Sequence, residues 1–80
     1  MFIIYFLKSL IDPSQTYIGY TTDLAKRLKD HNSGHSPHTS KYIPWELITY
    51  IAFNTEAKAR NFEKYVKVGS GSALAKKRFW

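Results

Sequence analysis

The stretch "TYIGYTTDLAKRLKDHN" (Thr16–Asn32) changes its period partway along. Its opening, "TYIGY", is rich in β-branched and aromatic residues and reads as a short strand. From Leu24 onward the apolar positions recur at helical spacing. Thr21, Thr22 and Asp23 lie between the two and supply N-cap candidates. The segment therefore predicts a strand followed by a helix to about Asn32. Leu24 and Leu28 mark the inward face of that helix, and Arg27 and His31 fall on the same stripe. An unpaired charge against a core is costly, so these two residues need a partner, water or a ligand.

Outward from this segment, "FIIYFLK" (Phe2–Lys8) is a continuous apolar run and predicts a central strand covered on both faces. Asp12-Pro13-Ser14 supplies turn chemistry, so the first two strands predict a hairpin. "SGHSPHTSKYIP" (Ser33–Pro44) has no periodicity and predicts a loop. "WELITYIAF" (Trp45–Phe53) predicts a third strand. Asn54 or Thr55 caps a second helix through about Val68, and Gly69 suits its end. A last helical turn or two starts at Ser70 or Ser72. The expected order is β-β-α-β-α-α, an α/β fold of the α+β type: a small three-stranded, largely antiparallel sheet flanked by helices. With no internal repeat and no linker, residues 1–80 predict a single domain.

Composition narrows the function classes. Six Tyr, five Phe and two Trp in 80 residues argue against disorder. No cysteine is present, which excludes disulfides and thiolate metal sites. His31, His35 and His38 alone make a poor zinc set. The N-terminal apolar run is too short to span a bilayer and lacks the basic leader and cleavage site of a signal peptide. A cytoplasmic protein is the expectation. Twelve Lys and Arg against six acidic residues give a net charge of +6, which points to a polyanionic partner, nucleic acid first.

The second helix repeats the anomaly of the first with the opposite sign. Its inward stripe is Ala59, Phe62, Glu63 and Val66. An Arg27–Glu63 ion pair, or snorkelling of both side chains to water, would satisfy the charges without any function. Strand alternation adds to the case. It puts Ile3, Tyr5 and Leu7 on one face of the first strand, and Tyr17 and Gly19 together on one face of the second. A glycine there leaves the space that a closely approaching ligand needs.

These residues resemble the GIY-YIG nuclease superfamily, in particular its small stand-alone branch. That branch is similar to the nuclease module at the N-terminus of the excision-repair subunit that makes the 3′ incision. The resemblance rests on "IIY" (Ile3–Tyr5), "YIG" (Tyr17–Gly19), "TTDLAKRLKDHNSG" (Thr21–Gly34), "HTSKYIPWELI" (His38–Ile48) and the C-terminal "FEKYVKVGSGSALAKKRFW". It covers essentially the whole chain. It implies that Tyr5 and Tyr17 are the motif tyrosines, Arg27 the catalytic arginine, His31 an assisting histidine, and Glu63 the single metal-binding glutamate. The implied reaction is metal-dependent hydrolysis of DNA phosphodiester bonds.

Each residue type suits that chemistry. A tyrosine phenolate accepts a proton from water, but a free phenol has a pKa of about 10 and needs a neighbouring cation to ionise. Tyr17 is the expected base, with His31 or Tyr5 assisting. The planar fork of Arg27 fits phosphate oxygens in the transition state. Glu63 would hold one Mg²⁺ or Mn²⁺ that stabilises the leaving 3′ oxygen. Gly19, Lys26, Lys29, Lys41, Lys76, Lys77 and Arg78 are candidates for contact with the nucleic acid.

The chain departs from the family pattern in two places. Ile3 stands where the motif name has Gly, and no asparagine follows Glu63. With no appended DNA-binding domain, a protein partner that supplies specificity is a further expectation, and the protein itself is expected to be a monomer. The alternative reading is a nucleic-acid-binding module of the same fold that has lost catalysis.

Overall fold

The computed structural model describes residues 1–80. The apolar run forms β1 (Phe2–Ser9), and the "TYIGY" segment forms β2 (Thr16–Thr21). With β3 (Trp45–Phe53) they make an antiparallel sheet of order β2-β1-β3. The central place of β1 explains its composition, since Ile4 to Leu7 are all buried. The helices are α1 (Leu24–Asn32), α2 (Glu56–Lys67) and α3 (Gly69–Arg78). Asp23 caps α1 and Thr55 caps α2, each side chain accepting a hydrogen bond from the backbone N–H three residues on.

The sheet has a core on each face. Ile4 and Phe6 pack with Ala59, Val66 and Ala75 beneath α2 and α3. Tyr5 and Leu7 pack with Trp45, Tyr17, Leu24 and Leu28 beneath α1 and the segment that follows it. Both faces of β1 are thus used, but the α1 side carries phenols where a simple core would carry aliphatics.

One expectation needs correction. The third helix is longer than a turn or two and begins at Gly69. Val68 is extended and Gly69 has φ +56°, so the chain turns in one step at the end of α2. Gly71 then lies so close to the Tyr65 carbonyl that a Cβ would not fit, which brings Ala75 into the core. The segment Ser33–Pro44 is the expected loop, tied down at its end. It contains a 3₁₀ turn at Ser40–Tyr42. Asn32 clamps Trp45 through both backbone groups (Nδ2 to O 3.2 Å; N to Oδ1 2.6 Å), and Trp45 Nε1 donates to Thr39 O at 2.8 Å.

Candidate active site

The sheet register brings the two tyrosines to one face. Tyr5 lies opposite Gly19, and Leu7 opposite Tyr17. The Tyr5 and Tyr17 ring centroids are 6.1 Å apart, and His31 stands edge-on to Tyr17 at 4.9 Å. Tyr5 is fully buried, with Oη 2.8 Å from His31 Nε2. On its other side, His31 Nδ1 lies 2.8 Å from Thr39 Oγ1, which donates to Ser36 O at 3.4 Å. Since the Thr39 proton goes to Ser36, Nδ1–H donates to Thr39 and Nε2 accepts from the Tyr5 hydroxyl. One neutral tautomer satisfies the whole chain.

Burial, and next the charge of Arg27, push the His31 pKa down to about 4, with Asp30 opposing weakly. Burial also raises the Tyr5 pKa to about 12; nearby Tyr17 adds to this, while hydrogen bonding and charge from Arg27 act against it. Tyr5 is therefore a locked hydrogen-bond donor, and His31 is neutral. His31 is buried beneath the site, on the inward stripe where the helical spacing places it.

A stability prediction follows from His31. Its folded pKa of about 4 lies below its ordinary 6.5, so between these values the unfolded chain holds a proton that the folded chain does not. The His31 contribution is complete above pH 6.5 and is lost as the pH falls toward 4. Urea midpoints measured across this range should fall with pH, and the His31 ring signals in NMR should titrate near the lower end. Titration of His31 at an ordinary histidine value would contradict the geometry.

Gly19 has a different purpose from the one its sequence suggests. The space over it is not empty: a Cβ at this position would collide with the Tyr5 phenol and lie 2.8 Å from Tyr17 Cε2. Glycine is needed so that Tyr5 can lie across β2. Gly19→Ala is expected to destabilise the fold by about 1–3 kcal/mol and to displace Tyr5, as thermal melts and the His31 NMR signals will show.

Arg27 is half-buried and close enough to both Tyr5 and Tyr17 to feel them. Burial works against its charge, but the nearness of the two phenols, Tyr5 first and then Tyr17, outweighs it and raises its pKa. The Arg27–Glu63 ion pair does not form. Glu63 instead pairs along its own helix with Lys67 at 2.9 Å and Arg60 at 3.5 Å. Its side chain is 17% exposed, at the rim of the apolar stripe rather than pressed into it. Its charge reaches Tyr5 across the sheet.

As a metal ligand, Glu63 is a lone carboxylate; no cluster of three or more acidic or histidine side chains adjoins it. A hard cation that keeps several waters and takes oxygens from substrate phosphates fits such a ligand. The cations that now cover Glu63 are on flexible arms, with Arg60 and Lys67 side chains about half exposed. Arg60 also stacks over the Tyr20 ring at 3.7 Å.

Tyr5, Tyr17, Arg27 and His31 thus come together on one face, with Glu63 in electrostatic reach. The candidate contact lysines do not form one patch. Lys26 and Lys29 are exposed on α1 and Lys41 on the 3₁₀ turn, while Lys76, Lys77 and Arg78 lie on α3, over the other face of the sheet. Thr39 was missed. It sits eight residues beyond His31 in an aperiodic segment, and its only sequence signal is a hydroxyl within "HTS".

An arginine near two phenols, with a carboxylate in electrostatic reach, is a set of groups suited to phosphate esters. The chain belongs to the family described as the GIY-YIG catalytic domain, which matches residues 1–78. It is 42% identical over 65 residues to a structure-specific endonuclease subunit slx1 of Talaromyces marneffei, covering 74% of this chain and 17% of that protein. It is 34% identical over 55 residues to a structure-specific endonuclease subunit SLX1 homolog of Giardia intestinalis, covering 64% of this chain and 15% of that protein. It is also 40% identical over 52 residues to a UPF0213 protein of Streptococcus pyogenes, covering 64% of this chain and 56% of that protein. The chain therefore spans little more than half of the streptococcal protein and about a sixth of the two eukaryotic ones. The solution NMR structure of a UPF0213 protein from Bacillus halodurans superposes with a TM-score of 0.57 at 28% identity, covering 99% of this chain and 87% of that one.

Proposed function

We propose that this chain is a metal-dependent endonuclease that hydrolyses DNA phosphodiester bonds on the face bearing Tyr5, Tyr17 and Arg27. The observation that carries this reading is the unequal treatment of the two phenols. Tyr5 is buried, hydrogen-bonded to His31 and locked as a donor. Tyr17 is half-buried, stands beside the same arginine and faces the side a substrate would approach. Tyr17, ionised at the moment of attack, accepts the proton of the water whose oxygen adds to phosphorus. Arg27 stabilises the charge that grows on the phosphoryl oxygens. Tyr5 and His31 hold this arrangement in place. Glu63 would bind Mg²⁺ or Mn²⁺, which when present supplies positive charge to the phosphate and the leaving 3′ oxygen.

The slx1 relatives are named as subunits of structure-specific endonucleases. Branched DNA is accordingly the first substrate to try, and a partner that delivers it is part of the proposal.

Glu63→Gln is the test. The ion pairs it removes are partly exposed pairs within one helix, worth about 0.3–0.5 kcal/mol each, so the variant should melt like wild type. DNA binding in the presence of chelator should stay within about twofold, since sequence-independent affinity comes from the basic side chains. Cleavage with Mg²⁺ or Mn²⁺ should fall by about 100-fold or more, because the only carboxylate ligand is gone. A wild type that binds DNA tightly but cuts none would instead favour the binding module.

A further inference from the structure

On the side of the sheet that α2 and α3 cover, two adjoining clefts of about 260 and 280 Å³ run beside the start of β2. They share Thr16, Lys76 and Trp80; Lys67 and Ser72 are among the residues that line one, and Lys8 borders the other. Three lysines thus line the clefts with one tryptophan, and no acidic side chain lines either cleft. Lys67 is committed to Glu63, but Lys8 and Lys76 enter no ion pair. Even Glu46, across the ladder from Lys8, does not pair with it. Trp80 is half-buried and held in place. Its ring packs edge-on against Phe6 with centroids 5.2 Å apart, and its backbone N–H donates to Ala75 O at 3.1 Å.

We propose that this cleft is a second binding site for a nucleic-acid strand, with Lys8 and Lys76 on backbone phosphates and Trp80 against a base. Free ammonium groups gain phosphate contacts with release of counterions. A fixed aromatic wall accepts a base of any identity. Position gives the reason to join the cleft to the tyrosine face. Thr16 lines the cleft, and Tyr17, the next residue of the same edge strand, points to the opposite face. A strand that crosses the β2 edge passes from one to the other. This deepens the DNA reading above and rests on it for the substrate class alone.

The test is binding of an oligothymidylate of about twelve nucleotides, a length that fills a typical single-strand site, in chelator and followed by tryptophan fluorescence. Trp45 is only 5% exposed and lies in the other core, so quenching reports Trp80. Wild type should be quenched. Lys8→Gln with Lys76→Gln, which keeps both stems, should weaken binding about tenfold and reduce the salt slope by about 1.4, two contacts at about 0.7 each. Trp80→Phe should remove the quench and weaken binding about fivefold or more. Lys58→Gln with Lys64→Gln makes the same charge change on exposed positions of α2 and should stay within about twofold of wild type.

Equal weakening by the two double variants, no weakening by the cleft variant, or equal quenching by thymidine monophosphate would each overturn the proposal. The last result would mean a mononucleotide pocket. Chelator separates this test from catalysis. A protein that cuts DNA but binds normally without Lys8 and Lys76 has lost only the cleft. One that binds through the cleft and never cuts has lost only the endonuclease reading.

Discussion

Arg27→Ala is expected to slow phosphodiester cleavage by about 10²–10³-fold, the usual cost of removing one fixed donor to a transition-state oxyanion. The guanidinium is within reach of both Tyr5 and Tyr17. It forms no ion pair, so its charge is free for a phosphate. Arg27→Lys should recover only part of the rate, because an ammonium lacks the planar fork. The variant also has a readout separate from activity. Arg27 is one cause of the low His31 pKa, so in Arg27→Ala the imidazole should titrate above about 4, toward its ordinary value. A full cleavage rate in Arg27→Ala, with that titration shift present, would show that the arginine sits at the site without serving it.

Tyr17→Phe is the second large effect, expected at about 10²–10⁴-fold on the single-turnover rate. Its contrast with Tyr5→Phe is as informative as its size. Removing the Tyr5 hydroxyl leaves His31 Nε2 buried without its partner, which costs about 1–3 kcal/mol of stability. Removing the Tyr17 hydroxyl, at a half-exposed position, should leave the melting temperature close to wild type. Tyr17→Phe should lose its rate with an unchanged melt, whereas Tyr5→Phe should melt lower and keep much more of the rate. If the two tyrosines exchange these behaviours, the base is Tyr5, and the hydrogen-bond chain through His31 to Thr39 is a proton path rather than a brace.

Much of this was legible in the sequence because it depends on period. The four-residue spacing of Leu24, Arg27, Leu28 and His31 fixed which side chains share a face, and alternation placed Tyr5 with Leu7 and Tyr17 with Gly19. Period does not report depth or partner. His31 proved to be buried under the site, and Glu63 was satisfied along its own helix by Arg60 and Lys67 instead of by Arg27. Gly19 could be placed beside Tyr17, but whether the space above it was empty depended on the direction of the Tyr5 ring. Thr39 was invisible for another reason. Its position comes from the Asn32–Trp45 clamp and the Trp45 Nε1 bond to its carbonyl, which are tertiary contacts made by an aperiodic segment. The cleft around Lys8, Lys76 and Trp80 joins β1 to α3 and the residues that follow it, at opposite ends of the chain, so it too appears only when the chain is folded.

The most direct measurement is cleavage of end-labelled branched, duplex and single-stranded DNA by the wild-type protein with Mg²⁺ or Mn²⁺, with Arg27→Ala and a chelator control alongside. Cutting should require the metal, stop in chelator, and fall at least about 100-fold in the variant. No cutting of any DNA by the wild type, or cutting that survives in Arg27→Ala or in chelator, would contradict the proposed function.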